Sequence, residues 1–83
     1  MTLIVSLVEL KDGENGVLTE FLDPKIACKL MSMGILPGKS ISLIRRVPFG
    51  GGLYVKVVGQ NFAIRAEEAR SILIDKVCQT FLN

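Results

Sequence analysis

The sequence predicts a mostly β domain in which short strands close into a small barrel and one α-helix is inserted between them. The chain has 83 residues, which is enough for a single domain with a thin core. Hydrophobic residues make up 49% of it and aromatic residues only 6%, and this balance indicates a compact aliphatic core. Short apolar segments alternate with turns rich in glycine, proline and asparagine, a pattern typical of small barrels with few exposed strand edges. We therefore expect one domain spanning residues 1–83.

The first two strands are predicted at residues 3–10 and 17–22. The earlier segment is apolar and rich in β-branched side chains, which favour extended backbone. Between the two, residues 11–16 contain two glycines and an asparagine, which allow the positive φ angles of a turn.

The inserted helix is predicted over about residues 24–33. Asp23 suits the N-cap, because its carboxylate accepts hydrogen bonds from the first free amides, and Pro24 suits the first helical position. Gly34 allows the left-handed conformation that ends many helices. An apolar stripe along one face is expected to pack on the barrel, and it consists of Ile26, Ala27, Leu30, Met31 and Met33.

The second half of the chain is predicted to contain the remaining strands and a short helical turn. In chain order, the segments are a Pro-Gly turn at 36–39, a strand at 40–47, a glycine-rich hairpin tip at 48–52, a strand at 53–58, a tight turn at 59–61, a strand at 62–65, a helical turn at about 66–71, a strand at 72–74 and a tail at 75–83.

The predicted strand at 40–47 alternates between two faces. One face holds Ile41, Leu43 and Arg45, and the other holds Ser42, Ile44 and Arg46. We expect the strand to leave the cover of the barrel near Arg45 and Arg46.

The net charge of +2 conceals a segregated distribution. Residues 1–23 hold five acidic residues and one lysine, a charge of −4, whereas residues 24–66 hold seven basic residues and no acidic one, a charge of +7. Such asymmetry concerns partners more than fold. Three interpretations of the basic segment stay open: a solvated face, a surface that binds an acidic protein partner, and a nucleic-acid surface that combines basic and aromatic side chains.

Catalysis and tight metal binding find little support in the residue types present. The sequence has no histidine, and the glycines at 50–52 precede a strand and not a helix that would hold phosphate, so we predict neither an enzyme nor a cofactor. Cys28 and Met31 are weak metal candidates, because two sulfur ligands on one helix face make half a site and suit Cu(I) better than Fe(II). The alternative is that the methionines fill gaps in the core and Cys28 acts as a small apolar residue.

The sequence also predicts a soluble cytoplasmic protein. No uncharged segment approaches the roughly 20 residues that cross a bilayer, and residues 1–8 lack the basic start and cleavage site of a signal peptide. Without an export signal, Cys28 and Cys78 are expected to be free thiols in a reducing compartment.

Five segments, in matching order and spacing, resemble the ferrous iron transport protein A (FeoA) family. They are residues 10–16 (LKDGENG), 29–38 (KLMSMGILPG), 46–50 (RVPFG), 57–59 (VVG) and 62–69 (FAIRAEEA). The resemblance covers about residues 6–74 and leaves the tail with Cys78, Phe81 and Leu82 unassigned. It implies an SH3-like β-barrel with one inserted helix, and a small cytoplasmic accessory of bacterial ferrous iron uptake that acts with the membrane transporter FeoB.

The resemblance and the basic hairpin together suggest a regulatory module that binds the cytoplasmic part of FeoB and is recruited to the inner face of the membrane through it. The candidate partner-binding residues are Arg45, Arg46, Phe49, Tyr54 and Lys56. The residues expected to hold helix and barrel together are Leu30, Met33, Gly34, Pro37, Gly38 and Gly59.

Two alternative functions are a small basic barrel that binds nucleic acid and a metal-responsive module that self-associates, and a homo-oligomer is compatible with the thin core. We expect no nucleic-acid partner and no direct membrane insertion. The family's domain also occurs at the C-terminus of metal-responsive repressors, but 83 residues leave no room beside it for a DNA-binding helix-turn-helix.

Overall fold

The computed structural model describes residues 2–77, without the side chains of residues 2 and 77, and it confirms a mostly β fold. The described elements are β1 (Thr2–Ser6), a 3₁₀ turn (Leu7–Glu9), β2 (Asn15–Phe21), α1 (Pro24–Ser32), β3 (Ser40–Val47), β4 (Gly52–Val57), β5 (Gln60–Ile64), α2 (Ala66–Ala69) and β6 (Ile72–Val77). None of the helices in this part of the chain is long and apolar enough to cross a membrane.

All strands of the described chain belong to one antiparallel sheet in the order β1-β6-β2-β3-β4-β5. One face of this sheet encloses an aliphatic core, as the composition predicted. Its buried members are Leu7, Leu10, Leu18, Leu30, Ile35, Ile41, Leu43, Leu53, Val55, Val57, Ile64, Ala69, Ile72 and Ile74. The strand order is linear over residues 2–77, so that β1 and β5 are the two edge strands of the sheet.

Helix α1 begins and ends where its capping residues predicted. An Asp23 carboxylate oxygen accepts the Lys25 N–H at 2.9 Å, and Pro24 occupies the first helical position. At the other end Gly34 has a φ of 97°, and its N–H donates to the Met31 carbonyl at 3.0 Å. Both signals are local, and this is why the sequence alone predicted the helix.

The apolar stripe of α1 is narrower than predicted. Leu30 is buried and Ile26 packs partly against the core, but Met31 is 43% exposed and Met33 39% exposed. The expectation that these methionines fill core gaps is therefore wrong. The left-handed turn after the helix instead inserts Ile35 into the core, where its N–H donates to the Leu30 carbonyl at 3.1 Å.

The first strand is shorter than predicted, because Ser6 ends it. The Ser6 hydroxyl oxygen accepts the Val8 N–H at 3.4 Å and so caps the 3₁₀ turn. The same hydroxyl donates to the Ala69 carbonyl at 3.1 Å, which ties this turn to α2. The 3₁₀ geometry buries Leu7, and Leu10 just after it is buried as well.

The last strand is longer than predicted, because residues 75–77 pair with β1 and do not form a tail. Lys76 adds an ion pair to Glu14, with 2.8 Å between the Lys76 Nζ and a Glu14 carboxylate oxygen. Residues 78–83, with the unassigned Cys78, Phe81 and Leu82, lie outside the described residues.

Gly16 was placed in a turn by the sequence analysis, but the structure places it inside β2, paired with Ile41 of β3. A Cβ at this position would collide with the Ile74 side chain and lie 2.7 Å from the Asp75 carbonyl oxygen. Both obstacles belong to β6, which is hydrogen-bonded on two sides. Only glycine therefore fits between these strands without a shift.

Replacing Gly16 by alanine should lower the free energy of unfolding by about 1–3 kcal/mol, because the added methyl group overpacks the centre of the sheet. Chemical denaturation measures this change. The exposed neighbour provides the control, since Asn15→Ala should stay within about 0.5 kcal/mol of the wild type. Equal stability of the two variants would contradict the close packing at residue 16.

Candidate partner-binding surface

A β-bulge at Ile44 determines which side chains of β3 face the core. Leu43 lies on the buried face and pairs with Val55 of β4. The next residue of β4, Tyr54, pairs with Arg45, so that Ile44 has no partner and is the extra residue of the bulge. The bulge reverses the alternation beyond this point, and the predicted assignment of Arg45 to the face of Leu43 is wrong. Arg46 takes the inward register instead.

Arg46 is engaged by the protein itself. Its guanidinium donates to the carbonyl oxygens of Val8 and Leu10, the latter at 2.5 Å, and its backbone N–H donates to a carboxylate oxygen of Asp12 at 3.2 Å. These bonds attach the segment after the 3₁₀ turn to β3. Because the guanidinium has intramolecular acceptors, the candidate surface excludes Arg46, which the sequence analysis had included.

The other predicted contact residues lie on the outer face and at the tip of the β3–β4 hairpin. We define the hairpin surface as Arg45, Phe49, Tyr54 and Lys56, all of them exposed. The guanidinium carbon of Arg45 is 5.5 Å from the centroid of the Tyr54 ring, within the range of a cation–π contact. Lys56 follows Tyr54 by two residues on β4 and therefore shares its face. The hairpin surface combines positive charge with aromatic rings.

Phe49, at the tip of the hairpin, is fully exposed and has a φ of 60°. Left-handed backbone costs a residue other than glycine about 1–2 kcal/mol, and an exposed ring recovers none of it by burial. Val58, in the β4–β5 turn, likewise combines left-handed backbone with an exposed side chain, with a φ of 49° and 69% exposure. The sequence analysis singled out Phe49 for its position in the hairpin but missed Val58, because backbone angles are not visible in residue types.

An open groove of about 440 Å³ lies beside the hairpin tip. Its lining residues come from the tip and from the two ends of α2, and they are Gly50, Gly51, Arg65, Ala66, Glu67 and Arg70. This groove was not predicted from the sequence. The one signal for it in the residue order is the pair of arginines, Arg65 and Arg70, that flank the short helical turn.

An ion pair fixes α2 against α1. The Lys29 Nζ lies 2.5 Å from one carboxylate oxygen of Glu68, and the other oxygen accepts the Arg65 N–H at 3.2 Å. Hydrogen bonding to Lys29, helped by the Arg65 N–H, lowers the pKa of the buried Glu68 against the opposing effect of burial. Because Arg65 precedes α2 directly, this ion pair also positions one wall of the groove.

The residues expected to hold helix and barrel together lie mostly in the turns around α1. Gly38 has a φ of 90°, and its N–H donates to the Leu18 carbonyl at 2.7 Å, which attaches the Pro37-Gly38 turn to β2. Gly59 has a φ of 79° in the β4–β5 turn. Met33, by contrast, remains 39% exposed.

Within residues 2–77, the sulfur ligands considered for a metal have no cluster of thiol or carboxylate donors around them. Cys28 and Met31 are both exposed on α1. Over residues 2–77, no group of three or more cysteine, aspartate or glutamate side chains is placed to hold a metal ion. The acidic segment at 11–23 is therefore not assembled into such a site in this part of the chain.

Known proteins match this chain in sequence and in fold. The model of the FeoA domain family matches residues 5–76. A crystal structure of an iron uptake regulatory protein (FeoA) is 31% identical with a TM-score of 0.79, covering 90% of this chain and 99% of that one. FeoA of Stenotrophomonas maltophilia complexed with zinc, described as an SH3 domain protein, is 29% identical with a TM-score of 0.73, covering 86% and 89%. The predicted SH3-like architecture is confirmed.

A more distant structure shares the fold alone. A manganese-dependent transcriptional repressor is 19% identical with a TM-score of 0.82, and the alignment covers 93% of this chain but 44% of the repressor. Curated protein sequences give no match.

Arg45 and Arg46 should differ in their effect on stability although they are adjacent. Arg46→Ala should lower the free energy of unfolding by about 1–2 kcal/mol, because it removes two guanidinium hydrogen bonds to the carbonyls of Val8 and Leu10, the latter partly buried. Arg45→Ala should lower it by only about 0.5 kcal/mol, since it removes an exposed cation–π contact with Tyr54 and no hydrogen bond. Urea denaturation of both variants tests this, and equal losses would refute the proposed role of the bulge.

Glu68 should make stability depend on pH. Its pKa in the folded state lies below the ordinary value of 4.5, so the ion pair stabilises the fold at higher pH and is lost as the pH falls through the folded-state pKa. Glu68→Gln should cost about 1 kcal/mol at pH 7, because solvent screens the half-exposed Lys29, and nothing below the folded-state pKa.

Denaturation from pH 7 to pH 2 measures this difference, with Glu67→Gln as the exposed control. Glu14, whose pKa is lowered by its bond to Lys76, contributes the same pH dependence to both proteins and cancels. A difference that stays constant across the range would rule out the ionised pair.

Proposed function

The chain belongs to the FeoA family, and we propose that it serves ferrous iron transport as an accessory protein that binds the cytoplasmic part of the transporter FeoB. The family is a small transport-related family and is not a known family of enzymes. A binding role agrees with the residue types available here, since the sequence has no histidine for proton transfer near neutral pH.

The observation that carries this proposal is the exposed phenylalanine on unfavourable backbone at the hairpin tip. Aromatic side chains dominate the energetics of protein interfaces, where they fill pockets on the partner. Folding gains nothing from Phe49, whose ring is fully exposed and whose φ is 60°. A residue that is unfavourable for the free protein but suited to an interface supports a function in binding.

The charges beside Phe49 indicate the chemistry of the partner surface. Arg45 and Lys56 lie on the outer face of the same hairpin, and neither forms an ion pair within residues 2–77. We propose that they face an acidic rim around the pocket that receives Phe49. Complementary charge of this kind accelerates association and fixes the orientation of the bound protein.

The place of action follows from the partner. We propose that the protein works in the cytoplasm and reaches the inner face of the membrane through FeoB. This assignment rests on the family and on the hairpin surface together.

Phe49→Asn separates binding from folding. Asparagine tolerates the left-handed backbone, so this variant should be more stable than the wild type by up to about 1 kcal/mol. Its Kd for the purified cytoplasmic domain of FeoB, measured by isothermal titration calorimetry, should nevertheless rise at least about tenfold, since interface anchors typically contribute 2 kcal/mol or more.

Val58→Asn is the matched control, because it relieves the same backbone strain in the neighbouring turn. It should raise stability and leave the Kd unchanged. Wild-type affinity in Phe49→Asn would exclude the hairpin tip from the interface, and absence of binding by the wild type would refute the choice of partner.

A further inference from the structure

The groove beside the hairpin tip is flanked by two exposed arginines, Arg65 and Arg70. Within residues 2–77, neither guanidinium forms an ion pair or a side-chain hydrogen bond. Other basic groups of the protein are engaged differently, as Arg46 binds backbone carbonyls and Lys29 pairs with Glu68. The guanidinium groups of Arg65 and Arg70 can therefore bind a ligand without breaking a direct hydrogen bond or ion pair in this part of the chain, and the charge of Arg65 acts on Glu68 only at longer range.

The opposite wall of the groove is bare backbone. Gly50 and Gly51 line it, and a Cβ on Gly51 would collide with the Val47 side chain, so the wall stays free of side chains. Such a wall permits close approach by another polypeptide backbone. At about 440 Å³ the groove falls within the range of about 300–1,000 Å³ that is typical of ligand sites.

The charges inside the groove favour a ligand with spaced carboxylates, such as an acidic peptide, over a ligand with a continuous row of negative charges, such as a nucleic acid. Glu67 lies between the two arginines along the chain and lines the groove with them. A nucleic-acid backbone, with one charge on every phosphate, would meet this carboxylate at close range. A peptide with spaced acidic side chains can pair with Arg65 and Arg70 and avoid Glu67.

We infer that this groove binds an acidic segment of a protein partner, whose carboxylates are received by Arg65 and Arg70. The inference rests on the proposed docking function and deepens it. Phe49 lies next to the groove in the chain, so an apolar pocket and an acidic segment of one partner can be engaged together. The partner thus presents an acidic segment to the groove, in addition to the apolar pocket and acidic rim that face the hairpin surface.

The first experiment uses a probe independent of the transporter. The ¹⁵N-labelled full chain is titrated with the peptide N-acetyl-EQQEQQ amide, whose glutamates are spaced by glutamines, and hexaglutamine serves as the neutral control. Saturable shifts should concentrate at the backbone amides of Gly50, Gly51 and Glu67. The double variant Arg65→Gln/Arg70→Gln should bind about tenfold more weakly for each arginine removed, because each one contributes a charge-assisted hydrogen bond.

The matched control is Lys25→Gln/Lys39→Gln, which removes the same charge from exposed positions outside the groove. It should bind the peptide like the wild type, and both double variants should keep the wild-type thermal midpoint. Equal weakening in the two double variants would overturn the inference, since it would indicate attraction by net charge alone. Binding of octathymidylate at the same amides, without binding of the acidic peptide, would also overturn it.

The second experiment measures the affinity of both double variants for the cytoplasmic domain of FeoB. Weakening confined to Arg65→Gln/Arg70→Gln supports the groove as part of the interface. Unchanged affinity in that variant overturns the groove and leaves the proposed function standing. If the wild type binds the acidic peptide in the groove but not the transporter domain, the proposed partner is wrong and the groove inference stands.

Discussion

The extra residue in β3, Ile44, separates the basic side chains that stabilise the fold from those that face outward. Beyond the bulge, Arg46 lies on the same face of β3 as Leu43, and its guanidinium donates to the carbonyl groups of Val8 and Leu10. Arg45 lies on the opposite, outer face, where its guanidinium is positioned over the Tyr54 ring. Without the bulge Arg45 would take the inward register, and the carbonyl groups of Val8 and Leu10 would lose their hydrogen bonds to the Arg46 guanidinium.

In a domain of this size, an unfavourable backbone conformation costs a noticeable fraction of the free energy of unfolding. Single domains are stable by about 5–15 kcal/mol, and left-handed backbone at Phe49 and Val58 costs about 1–2 kcal/mol each. The core offsets this cost with close packing, as at Gly16, where no methyl group fits. The side chains of both residues remain in water, so the strained backbone brings no gain to the fold. A function at an interface explains such strain more easily than folding does.

The predictable features of the fold and of the site have local causes. The ends of α1 follow from Asp23 and Gly34, whose effects extend over a few residues only. Phe49 and Tyr54 could be assigned to the hairpin surface because a glycine-rich tip between apolar strands is visible in the residue order. The extent of β6 could not be predicted in the same way, since residues 75–77 are strand only because β1 lies beside them.

By itself the sequence determined the mostly β class, the bounds of the helix and the basic character of the hairpin, because capping, turn chemistry and charge are properties of neighbouring residues. The tertiary structure alone decided that the Arg46 guanidinium binds carbonyl groups of the protein itself, that Met31 remains exposed, and that Arg65 and Arg70 join the hairpin tip in one groove. These outcomes depend on strand register and on the packing of α2 against the hairpin. Such contacts bring together residues far apart in the chain, and no local pattern encodes them.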